Sequence, residues 1–410
     1  MNQLGQQLEQ RFFRYLAIES QSNAENTIIP STEGQRNLAK LLAKELESYG
    51  LKYIYIDEHA ILYAIRSGNK PSAPKIGFVT HLDTVNVGLS PVIKPQTLKY
   101  QGKDLCLNPE EDVWFKATDH PEAAPYIGEN IIFSDGTSVL GADNKAAITV
   151  VMELMNKLQD ANFDCGDIYV AFVPDEEIGL RGAKIMDLSR FKVDFAYTID
   201  CCAVGEVVYE TFNAASVEVS IKGISAHPMS AKNVLLNPIR VAHDFIGCFD
   251  RLDAPEHTEL REGYFYFTDL IANSDNAKIK IAIRDFDRNS YEARKRYIGE
   301  VVELIRRRHP RAKIDVKIDD VYSNISDSLG SDRTAIDLIF SALKIQGIEP
   351  KVIQMRGGTD GSALSARGIV TPNYFTGALN FHSRFEFLPI SSFEKSYLVT
   401  ETICRLVGEK

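Results

Sequence analysis

Between Ala215 and Ile318 the chain runs through β-α-β-β-α-β, and this series interrupts a different pattern in which single strands alternate with helices. Inside the series, strand-like Ala215 to Lys222 precedes helix-like Leu235 to Asp250. Strand-like Tyr264 to Ile271 and Ala277 to Arg284 follow, then helix-like Tyr291 to Arg308 and strand-like Lys313 to Ile318. That order is the signature of a split βαβ sandwich, a unit large enough to fold around its own core.

Outside it, a helix is predicted over Gln3 to Ala17, and Thr32 stands at capping-box spacing from Gln35. Leu38, Leu41, Leu42 and Leu46 then recur at helical spacing, with Gly50 placed to end the helix. Apolar runs at Lys75 to Thr80, Ile168 to Val173 and Phe195 to Ile199 read as buried strands, and Lys145 to Leu158 as a helix. After the interruption come a helix over Asp332 to Gln346, a glycine loop at Gly357 to Gly361, a strand near Val370 and a closing helix after Ser391. The predicted fold class is α/β: a mostly parallel mixed sheet with helices on both faces, interrupted by a ferredoxin-like α+β domain. The expected boundaries are 1–211 and 323–410 for the divided domain and 212–322 for the inserted one.

A length of 410 residues, 44% hydrophobic and 25% charged, suits two cores with no disordered tract. The net charge of −10, with Arg306, Arg307 and Arg308 as one short basic cluster at a helix end, offers phosphates no basic face, so nucleic acid is excluded as a partner. Neither GxGxxG nor GxxxxGK occurs, which argues against a nucleotide enzyme. Met1 to Ile18 is broken by Gln, Glu and Arg, and no later stretch is apolar enough to span a bilayer, so a soluble, cytoplasmic protein without membrane attachment is expected. The six cysteines show no CxxC spacing and read as reduced thiols.

The chemistry gathers where apolar runs end. Lys75 to Thr80 leads into His81 and Asp83, whose side chains face the same way on an extended segment, so Asp83 is placed to hold the His81 ring beside a metal. Asp143 precedes a helical pattern and reads either as its N-cap or as a carboxylate bridging two cations. Ile168 to Val173 leads into Asp175, Glu176 and Glu177, three successive acids that repel one another. One of these glutamates can ligate a metal while its neighbour accepts a proton. Asp200 ends another strand, and His382 follows a late loop. Open α/β sheets build their sites along the carboxyl edge of parallel strands, where these residues would converge. His81, His382, Asp143, Glu177 and Asp200 then form a nitrogen and oxygen donor set for two divalent ions, zinc being the expected metal, with Glu176 left as general base.

Over nearly its full length the sequence resembles the peptidase T family of di-zinc tripeptide aminopeptidases. The resemblance is carried by PSTEGQ (Pro30 to Gln35), HLDT (His81 to Thr84), LGADNKA (Leu140 to Ala146), PDEEIG (Pro174 to Gly179), YTID (Tyr197 to Asp200), FNAAS (Phe212 to Ser216), IRDFDR (Ile283 to Arg288), RGGTDG (Arg356 to Gly361) and NFH (Asn380 to His382). It implies that His81 and Asp200 bind one metal and Glu177 and His382 the other, with Asp143 bridging and with Asp83 and Glu176 catalytic. It also implies that the inserted domain is a lid, and a dimerisation module in the wider family. His227, Arg284 and Arg356 would contact the substrate, a short peptide, with Arg284 gripping its carboxylate. Two places depart from the family pattern. Cys201 and Cys202 stand where glycines are usual, and Ser383-Arg384-Phe385 replace glycine and basic residues after His382. A carboxypeptidase, a dipeptidase or an N-acyl amino acid deacylase would use the same metal set.

Overall fold

The computed structural model describes residues 2–159 and 163–409. The chain divides into two compact units, one comprising Met1–Tyr209, Ser328–Ile353 and Thr359–Lys410, the other Glu210–Asp327 and Gln354–Gly358.

The first unit is built on an eight-stranded sheet. Its centre is four parallel strands, in the order Ile168–Val173, Ile76–His81, Phe195–Cys201 and Asn373–Phe375. Antiparallel strands flank them, Leu62–Arg66 on one side and Glu206–Thr211 on the other. Every residue of Ile76–His81 and Ile168–Val173 is buried, the condition that makes parallel strands read as unbroken apolar runs. Alternate residues serve opposite faces. Val79, Ala171, Val173 and Ala196 pack with Leu364 of the helix Asp360–Ser365. Phe78 meets Tyr197 on the other face, where the Tyr197 hydroxyl donates to the Ala335 carbonyl of the helix Thr334–Ile345. Helices therefore cover both faces, and each buried Phe or Leu contributes roughly 1.5–3 kcal/mol.

A separate antiparallel sheet, Phe387–Pro389, Asn130–Ser134 and Pro95–Lys99, sits under the loop that carries His382. Phe115, Phe133 and Phe387 form its aromatic core, and Leu379 pairs with Phe387 to close the loop's base.

In the second unit the four strands Asn213–Lys222, Tyr264–Ala272, Asn276–Asp285 and Lys313–Tyr322 form a wholly antiparallel sheet in the spatial order 2-3-1-4. Val241 and Phe245 of one helix and Ile298, Val302 and Ile305 of the other share a core with Val217, Val219, Ile279 and Ile281. This is the ferredoxin-like arrangement.

Local expectations fail where a single residue overrides periodicity. The helix expected from Leu235 to Asp250 spans Pro238–Ile246, because Pro238 is tolerated only in a first turn and the Asn237 side chain caps it by accepting the Ile239 N–H. Thr32 precedes the helix Glu33–Ser48, but its side chain makes no cap bond and donates instead to the Gln21 carbonyl. The Gln35 amide still reaches Thr32 Oγ1 at 3.1 Å but donates more closely, at 2.7 Å, to the buried carboxylate of Asp175, while its own oxygen accepts the Asp175 N–H at 2.9 Å.

Candidate metal centre

Three neighbouring parallel strands set the site. The strand ending at His81 lies between the one leading into Glu176 and Glu177 and the one carrying Asp200. Neighbouring strands lie about 4.8 Å apart, so groups at one edge come within a few ångströms of each other.

The His81 Nδ1 faces the Asp83 carbonyl at 3.0 Å, which leaves Nε2 directed at Asp143 Oδ1, also at 3.0 Å. Asp200 Oδ1 stands 3.7 Å from the same Nε2. The other oxygen of Asp143 lies 3.0 Å from His382 Nε2, which is 3.1 Å from Glu177 Oε1. The Asp143 carboxylate thus has a different imidazole on each oxygen. Asp143 and Asn144 depart from helical geometry, and the Asp143 carboxylate is turned to the two imidazoles rather than to the amides of the helix that follows.

The acids are placed by backbone contacts. The Asp83 carboxylate accepts the N–H of Glu176 at 3.0 Å and of Glu177 at 3.2 Å, fixing the turn that presents both glutamates. One residue earlier, Asp175 holds a φ of 59°, a conformation costing a non-glycine residue on the order of 1 kcal/mol. Its carboxylate is fully buried and accepts from Ser31 and Gln35, which holds that geometry. His382 also has a positive φ, 61°, as does Asn380 at 60°. Asn380 is tied down by donating to Glu122 at 2.6 Å.

The electrostatics of the cluster follow from the crowding of its buried acids. Burial, reinforced by the charge of Asp143, pushes Glu177 up to about 8 and Asp200 to about 6. Burial raises Glu176 as well, against the pull of His81. Hydrogen bonds that His382 donates to the carboxylates of Asp143 and Glu177 lift it to about 10. Burial opposes ionisation of Asp143, yet the two histidines hold its carboxyl well below the usual range. Such a concentration of buried carboxylates favours protons or cations.

The donors fit a pair of divalent ions. His81, Asp143 and Asp200 offer ligand atoms all within 4.8 Å of one another, and Asp143, Glu177 and His382 do the same. Around a zinc ion with bonds of about 2.0–2.1 Å, tetrahedral donors lie roughly 3.3 Å apart, a value within the 3.0–3.7 Å range of the spacings here.

Further polar residues support the cluster without being among its expected ligands or catalytic groups. Asp360 is buried at the start of the helix Asp360–Ser365, with Oδ1 unpaired, and burial raises it to about 8. Glu386 is buried and accepts the N–H groups of Gly141 and Asp143. Ser31 and Gln35 serve Asp175. The order Gln35, Asp175 gave no signal, since 140 residues separate them.

The residues expected to contact substrate lie in the second unit. His227 is exposed and accepts the Met229 N–H. Arg284 lies over the Tyr322 ring and donates to the carbonyls of Ile283 and Ala215. Arg356 donates to Leu260 and Glu262 carbonyls and to Thr258 Oγ1, between the rings of Phe212 and Tyr264. Its guanidinium is engaged in tying its own unit together. The six cysteines are free thiols, with Cys201 buried beside Asp200.

An α/β fold with a donor set suited to two cations along its sheet edge is an arrangement that suits metal-dependent hydrolysis. Residues 120–405 match the model of peptidase family M20/M25/M40. A peptidase T-like protein of Yersinia pestis is 65% identical over 402 residues, covering 98% of each chain, and one of Rhizobium meliloti is 56% identical over 403 residues, again 98% of each. Peptidase T of Geobacillus thermodenitrificans is 38% identical over 408 residues, 99% of each chain. Among solved structures, aminopeptidase PepT from Bacillus cereus superposes with a TM-score of 0.78 at 22% identity, covering 98% of both chains. A dinuclear metal-binding M20 peptidase of Bacillus subtilis superposes with a TM-score of 0.63 at 16% identity, covering 98% of this chain and 99% of that one. The chain belongs to peptidase family M20/M25/M40, a metallopeptidase whose full-length relatives are peptidase T and peptidase T-like proteins. Among the described residues no helix is long and apolar enough to cross a membrane.

Proposed function

We propose that this protein is an aminopeptidase that removes the N-terminal residue from short peptides, chiefly tripeptides, with two zinc ions held by His81 and Asp200 on one side, Glu177 and His382 on the other, and Asp143 between. The observation that carries this reading is the pairing of each Asp143 oxygen with a different histidine at 3.0 Å. When bound, the cations supply Lewis acidity, polarising the scissile carbonyl and acidifying water. Glu176 takes the proton of the attacking water on its carboxylate and returns it to the leaving amine. Asp83 keeps Glu176 and Glu177 presented through their backbone amides and steadies the His81 ring.

In this reading the unit inserted in the sequence is the lid, and serves dimerisation. Arg284, whose two carbonyl contacts both use Nη1, keeps its Nε and Nη2 edge for a substrate carboxylate, whereas Arg356 has both Nη1 and Nη2 engaged. His227, being exposed, is available to a polarised carbonyl oxygen. The cytoplasm is the expected compartment, in keeping with six free thiols.

The test is a panel of tripeptides, dipeptides, amino-blocked tripeptides and acyl amino acids offered to zinc-loaded and to chelated protein. Free tripeptides should be cleaved fastest, at the first bond, and by loaded protein alone. Preference for the blocked peptides would point to a deacylase or carboxypeptidase. Hydrolysis that survives chelation would overturn the metal reading.

A further inference from the structure

Glu386 has no part in the donor set, yet its carboxylate is aimed at the backbone that carries the central donor. It is buried in the first unit. One oxygen accepts the Gly141 N–H at 2.8 Å and the other the Asp143 N–H at 3.1 Å, so the two bonds straddle Ala142. Gly141 has a φ of 74°, a left-handed turn that favours glycine and that aims both amides at one point. At its other end, Glu386 is tied to the His382 loop, because its own N–H donates to the Ser383 carbonyl at 3.1 Å. A single residue, by its side chain on one hand and its backbone on the other, thus joins the segment of the bridging carboxylate to the segment of an imidazole facing it, although 243 residues separate Glu386 from Asp143.

We infer that Glu386 is a positioning residue for the two-cation centre: it locks the Asp143 backbone against the His382 loop, so that the Asp143 carboxylate spans both ions rather than binding one. The inference rests on the metal assignment made above. A bridging carboxylate must satisfy two ions with one orientation, and a small rotation of its backbone favours one ion at the other's expense. Two bonds to flanking amides resist that rotation in a way a single bond cannot. A carboxylate at these amides also resembles a helix cap. A cap alone would alter the melting temperature and leave the two ions as they were.

The distinguishing variant is Glu386→Gln, which keeps the volume but turns one acceptor into a donor facing an N–H. In cobalt-loaded wild type, two ions per chain and a magnetic exchange signal between them are expected. Glu386→Gln should bind the first ion normally and the second at least tenfold more weakly, with the exchange signal reduced or lost. Its kcat should fall by ten- to a hundredfold, with KM within about twofold. Glu386→Asp, which still reaches one amide, should fall between them, and it replaces Glu386→Gln if that variant does not fold. Unchanged second-ion affinity and coupling in the variants would overturn the inference, as would failure of both variants to fold, which would make Glu386 a requirement of the fold itself. Wild type without two coupled ions would instead overturn the metal assignment, so the two failures are separable.

Discussion

Asp83 Oδ1 accepts the backbone N–H of Glu176 at 3.0 Å, and this bond, more than any side-chain contact, decides where the proposed base stands. Asp83 is buried at the end of one strand and Glu176 begins the turn after its parallel neighbour, so the bond joins two strand ends across the sheet edge. Replacing Asp83 with Asn turns one acceptor into a donor facing an amide. Asp83→Asn should lower kcat or metal affinity by about 10- to 100-fold, with the protein still folded. Steady-state kinetics with metal analysis reads this, and wild-type values for both would contradict it.

Glu176 has a separate role from its neighbour. Glu176→Gln should retain both ions and lose roughly 10²–10⁴ in kcat, because a carboxamide cannot accept the proton. Glu177→Gln should lose metal as well, since Glu177 faces His382 at 3.1 Å. Equal metal loss in both variants would refute the division of labour.

The free site holds protons that cations must displace. His382, lifted to about 10 by Asp143 and Glu177, and Glu177, raised to about 8 by burial and by Asp143, are both protonated at pH 7 without metal. Ligation needs both deprotonated, so binding releases protons and apparent affinity rises with pH between about 7 and 10. Calorimetric titration at pH 7 in buffers of different ionisation heat should show a binding heat that varies with the buffer, the sign of protons released as the ions bind. Binding heats independent of buffer would contradict the ligand assignment.

Much of this centre is legible from residue order, and the exceptions share one cause. His81, Asp143, Glu176, Glu177 and Asp200 stand at or just beyond the carboxyl ends of apolar runs or the start of a helix, where periodicity itself marks a boundary. The supports are different. Gln35 stands at a helix start where a local capping role satisfies the pattern, while its actual partner, Asp175, is 140 residues away. Glu386 sits among aromatics in Phe385-Glu386-Phe387 and reads as one polar residue in an edge strand, with nothing nearby to announce Gly141. Asp360 begins a short helix after a glycine loop, where an acid is ordinary. A helix end departs from the apolar spacing where one Pro or Asn outweighs it, as at Asn237-Pro238.

Lys145, inside the Leu140 to Ala146 stretch, gives a stability prediction. It is fully buried, donates to the Ile18 carbonyl at 2.6 Å, and burial draws it down to about 7. An unfolded lysine titrates near 10.4, so between pH 7 and about 10 the unfolded chain holds a proton that the folded one lacks. The charged form's penalty is therefore full below pH 7 and relieved as pH rises through that window. The stability of wild type minus that of Lys145→Met should grow by roughly 1 kcal/mol per pH unit from pH 7.5 to 9.5 in urea unfolding. A difference that stays flat or shrinks would show that the ammonium is not buried in the folded protein.

The most direct test of the central claim is a crystal structure of zinc-loaded protein with anomalous scattering at the zinc edge. Two peaks per chain should appear about 3.5 Å apart, one between His81 and Asp200 and one between Glu177 and His382, with an Asp143 oxygen on each. No peak there, or a single ion that leaves one of the two histidines unligated, would contradict it.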